Sequence, residues 1–194
     1  MSHFSKKHST ATRPDHSSRT GILPVLTQIS RKDMPSFLFI AIAGTLCHFL
    51  YEWTKSPLAA LFCPVSESVW EHLKLLYFPF LFLTLQNTLC TDRHPRITSS
   101  TLYSRLLAVL CGMLSIITLY YTYTGIIGKN YLLPDILIFL ISITVTLRLI
   151  PHFQNTLSTT PSFTAIYTSW LLLTLSFFLF TCYPPNLPLF YSAS

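Results

Sequence analysis

Charge is scarce in this chain. Asp, Glu, Lys and Arg make up 10% of its 194 residues, against roughly 25% in an average soluble domain. Glycine is scarce too, at five residues, which excludes a collagen-like or linker-like chain. No CxxC pair occurs among Cys47, Cys63, Cys90, Cys111 and Cys182, and no HExxH stretch occurs anywhere. Common zinc-finger, thioredoxin-like and metalloprotease signatures are therefore excluded. A Cys63–Cys182 bridge is permitted by topology alone but is not expected, because reach is not written in sequence. Period-two alternation is missing as well, which excludes the strands of a membrane barrel.

What is present is apolar sequence: hydrophobic residues account for 51% of the chain. A hydrocarbon core of roughly 30 Å needs about 20 apolar residues in helical form. Five stretches qualify: residues 36–53, 69–89, 102–127, 132–150 and 163–183. The fold class expected is all-α, an integral membrane bundle of five transmembrane helices over residues 35–185. A basic, disordered cytoplasmic tail at 1–34 precedes it, and a short tail at 186–194 follows. The first apolar run, "GILPVL", is too short for a signal peptide. The tail has almost no aromatic interleaving and no nucleic-acid motif, so the partner expected is the lipid bilayer and not nucleic acid.

Lys and Arg set the orientation. With the N-terminus inside, ten basic residues lie inside and three outside, namely Lys55, Lys74 and Lys129. The N-terminus is therefore expected inside, with the chain in the plasma membrane as a multi-pass protein. Pro79 is expected to kink the second helix, freeing the Leu75 carbonyl. Ala108-x-x-x-Gly112 reads as a close-packing pair.

The chemistry sits at "PVSESVWEHLKLLYFPF", residues 64–80. This helix enters lipid carrying Glu67, Glu71, His72 and Lys74. His48 and Glu52 are four apart on one face of the first helix. Antiparallel packing brings them to the level of Glu71 and His72. Intramembrane ionisable groups cost ~2.5–3.5 kcal/mol each on insertion scales, so their clustering points to a polar site. Two imidazoles with two or three carboxylates suit a divalent metal ion. The metal set expected is His48, Glu52, Glu67 and His72, with Glu71 as general base. The same groups suit proton transfer. Structural roles compete: Ser68-x-x-Glu71 is a capping box, Glu67 suits a helix N-terminus, and Lys74 can snorkel outward and pair with Glu71. Capping accounts for the acids one at a time but not for the two histidines beside them.

Two stretches carry a resemblance. "HFLYEW" (His48, Tyr51, Glu52, Trp53) is followed by Pro64, Val65 and Glu67 to Lys74, and later by Pro184 and Pro185. The chain resembles an uncharacterised family of small bacterial multi-pass membrane proteins, a domain of unknown function. Ser66 stands where that pattern has Asn. The resemblance implies an integral membrane protein and brings no activity with it. Three functions stay open: ion or metal binding for transport, an intramembrane metal-dependent hydrolase, and a non-catalytic accessory or scaffold subunit.

Overall fold

The computed structural model describes residues 31–89 and 98–191. The expected disordered tail falls mostly outside the described residues. The described residues fold into six α-helices: α1 (Met34–Thr54), α2 (Pro57–Phe62), α3 (Val69–Leu89), α4 (Ser99–Ile127), α5 (Leu132–Thr156) and α6 (Phe163–Cys182). A 3-10 turn, Pro188–Phe190, ends the described chain. The all-α class agrees with the sequence.

Local chemistry sets the helix ends. Thr98 Oγ1 accepts the Thr101 N–H at 3.3 Å, which starts α4 three residues before the expected 102. Ser162 Oγ caps Ala165 in the same way at 3.3 Å. α4 stops where Gly128 adopts φ +76°, the left-handed region open to glycine. α5 runs on through Pro151 to Thr156, beyond the expected 150; Pro kinks a helix but does not always end it.

Four helices, α1, α4, α5 and α6, are long and apolar enough to cross a membrane, and they place the chain in a lipid bilayer. Their outward faces carry Leu38, Ile42, Leu46, Leu171, Leu172 and Leu179, all exposed, as surfaces solvated by lipid would. α3 is as long as α1 but more polar, and it takes the centre of the bundle: from Leu73 to Phe80 every residue is buried. Its aromatic side packs on α6, with Tyr77 and Phe177 at 4.9 Å. Tyr77 Oη is 2.7 Å from Thr174 Oγ1.

Two glycines allow helices to touch. Gly44 of α1 lies against the Leu75 carbonyl of α3, and a Cβ there would sit 2.8 Å from that oxygen. This carbonyl is the one Pro79 deprives of its intrahelical donor. At Gly112 a Cβ would collide with the Thr146 hydroxyl of α5, so Ala108-x-x-x-Gly112 is a packing site of α4 on α5. The described cysteines Cys47, Cys63, Cys111 and Cys182 are free, so Cys63 and Cys182 are not bridged.

Candidate functional site

α3 begins where Ser68 Oγ accepts the Glu71 N–H at 3.3 Å. The other half of the expected capping box is diverted. Glu71 Oε2 takes the Val65 N–H at 2.9 Å and the Lys74 ammonium at 2.8 Å. Glu71 Oε1 accepts from Thr181 of α6 at 3.1 Å. Lys74 is fully buried and does not snorkel. Its remaining donors reach the Ala60 and Cys63 carbonyls at 2.9 Å and 3.4 Å, at and just beyond the end of α2. This buried pair therefore ties α2, the 63–68 loop, α3 and α6 together.

One residue on and about 100° around the helix, His72 points the other way. Its Nδ1 lies 2.9 Å from the Ser68 carbonyl, an acceptor, so Nδ1 carries the proton in this contact. Nε2 then faces Glu67 Oε2 at 3.3 Å. The His48 ring meets His72 edge to face at 5.3 Å. His48 Nδ1 is buried without a hydrogen-bond partner. One ligand atom from each of His48, Glu67 and His72 falls within 4.8 Å of the others.

The structure thus brings together three of the five residues singled out from sequence. Glu52 is exposed at the end of α1 and is not in this group. Glu71 is committed to Lys74. The Glu67 carboxyl is held below the ordinary carboxylate range, first by the hydrogen bond that His72 Nε2 donates when it too carries a proton, with burial opposing.

Asp135, at the start of α5, is not among the five residues singled out from sequence. A small cavity of about 80 Å³ is lined by Glu67, His72, Tyr120 and Asp135. Asp135 accepts a short hydrogen bond from Tyr123 Oη. The signal available in sequence was Asp135 directly after Pro134, which also fits ordinary capping.

Residues 26–193 match the model of a family of unknown function, DUF6512, and the chain belongs to that family. No curated protein and no solved structure matches it. Membership brings no activity that can be carried over.

Proposed function

We propose, for this member of a family of unknown function, that its role is to hold one divalent transition-metal ion on His48, Glu67 and His72 at the outer end of a plasma-membrane bundle. One observation carries this. His48 Nδ1 is buried and unpaired beside His72, whose Nδ1 already faces a backbone carbonyl. A histidine with one nitrogen tied to a carbonyl presents the other as a metal ligand, the usual outer-partner arrangement. Neutral His72 Nε2 and the Glu67 carboxylate are both acceptors, so a proton or a cation between them relieves their contact.

Two histidines and one carboxylate leave a fourth position open, the pattern of catalytic zinc sites. The adjoining cavity supplies the space, and Asp135 on its wall is the carboxylate free of cationic partners that can accept a proton from bound water. A hydrolytic role therefore fits better than transport. A cation crossing the bundle would leave through a cavity at the opposite end lined by Lys32, Arg105 and Arg148, which repels it. The general base expected at Glu71 is assigned to Asp135 in this proposal, and Glu71 to holding the 63–68 loop.

The proposal includes five spans with the N-terminus inside, in a bacterial plasma membrane. The excess of Lys and Arg on one side supports the orientation. Burial of α3 at the bundle centre supports its crossing, since its polar groups face protein and not lipid.

Elemental analysis tests the metal. Full-length protein purified in mild detergent without chelator is expected to hold about one equivalent of a transition metal, with the one-site stoichiometry of a three-ligand centre. His72→Ala should lose it and Glu52→Gln, exposed and outside the group, should keep it. A folded wild type without metal, which also fails to take up added zinc, would sink the proposal and leave a scaffold role.

A further inference from the structure

At the end of the bundle opposite the His/Glu group, α1, α3, α4 and α5 enclose a second cavity of about 450 Å³. Its floor is apolar, with Phe80 and Leu147 buried. Lys32, Arg105 and Arg148 line it, with Asp33 as the one acid, so three positive charges stand against one negative. Lys32 and Gln154 at the mouth are exposed.

The two arginines are incompletely satisfied. The Nε atoms of Arg105 and Arg148 are both buried without a hydrogen-bond partner. One terminal nitrogen of Arg105 donates to Thr84 Oγ1 at 3.2 Å. The two ion pairs among the described residues involve other side chains. Lys74 makes the contrast plain, since the same bundle gives that buried cation three oxygen acceptors. A guanidinium carries five donors in a planar fork that matches phosphate geometry. Leaving such a charge desolvated and unpaired is unfavourable. Two forks facing one cavity with a net positive lining are complementary to an oxyanion that can accept from both.

We propose that this cavity binds a phosphate-bearing anion between Arg105 and Arg148, with Lys32 at its mouth. Two sources share that chemistry: the phosphodiester headgroup of an anionic lipid, and free phosphate. Basic pockets between membrane helices on the cytoplasmic side suit anionic headgroups, and this end carries the excess of Lys and Arg. The inference is independent of the metal site.

The test uses full-length protein delipidated in a nonionic detergent. Thermal stability and native mass spectrometry would follow additions of short-chain phosphatidylglycerol, phosphatidylcholine and inorganic phosphate. Saturable binding with a rise in melting temperature is expected for phosphatidylglycerol, for phosphate, or for both. Binding should weaken at least about tenfold in Arg148→Gln, the loss of a charge-assisted hydrogen bond, and stay unchanged in Lys129→Gln at the far end. A response to phosphatidylglycerol alone assigns the site to a lipid headgroup; a response to both assigns it to free phosphate as well. No binding of either, or equal binding by wild type and Arg148→Gln, overturns the proposal. If Arg148→Gln does not fold, salt titration of wild type decides. Binding through exposed and half-buried cations must weaken at high ionic strength, and binding indifferent to salt overturns the proposal.

Discussion

His48 of α1 and His72 of α3 face each other edge to face at 5.3 Å, on helices joined by α2 and an irregular loop. No other pair of described imidazoles is in ring contact. Their approach depends on the close packing of α1 on α3 at Gly44, about one helical turn below His48.

Removing either imidazole should weaken metal binding by at least about 100-fold, beyond the 10–100-fold typical of an outer-partner mutation. Competition with a chromophoric chelator measures this directly. Glu52→Gln, exposed and outside the group, is expected to leave affinity unchanged. A Glu52→Gln protein that loses its metal would restore Glu52 as a ligand.

Glu71→Gln leaves the Lys74 ammonium buried with only two carbonyls. Breaking one half of a buried pair is expected to destabilise the fold by about 3–5 kcal/mol. Replacing both, as Glu71→Leu with Lys74→Met, should cost much less, since it removes both buried charges. Melting temperatures in detergent compare the two. If the single and double variants prove equally unstable, the pair is not what holds the 63–68 loop.

Gly44→Ala should disturb both the fold and the metal site. Its new methyl meets the Leu75 carbonyl and Phe139, which pushes α1 away from α3 and His48 away from His72. Gly112→Ala introduces overpacking of similar kind between α4 and α5. Each is expected to cost about 1–3 kcal/mol, but only Gly44→Ala should also weaken metal binding. Equal effects on metal would contradict the role given to the α1–α3 contact.

Metal binding should fail on the acid side through the histidines and not through Glu67. The Glu67 carboxyl is depressed, so its contribution is complete above the ordinary carboxylate range and is lost only as pH falls through its lower folded value. The carboxylate is mostly exposed, so that contribution to stability is small. Imidazole ligates a metal ion only in its deprotonated form, so affinity should fall with pH while the Glu67 carboxylate is still ionised. Isothermal titration across pH 4.5–8 checks this; an acid limb confined to the carboxylate range would argue against histidine ligation.

Much of the architecture follows from the sequence by itself. Long apolar runs in an environment without water have only the helix as a way to satisfy their backbone. Helix starts at Ser68, Thr98 and Ser162, and the stop at Gly128, rest on side chains and backbone within a few residues. A His/Glu cluster near the second apolar stretch was likewise visible in helical spacing. Tertiary structure decided which members meet. Glu71 and His72 are adjacent in sequence yet about 100° apart around α3. Glu71 therefore faces Lys74 and α6, while His72 faces His48 and Glu67. Spacing within one helix gives that angle, but only the packing of α1 against His72 and of α6 against Glu71 says what each side chain meets. The arginines at the other end tell the same story: Arg105 and Arg148 read as orientation charges in sequence, and only the fold places them in one cavity.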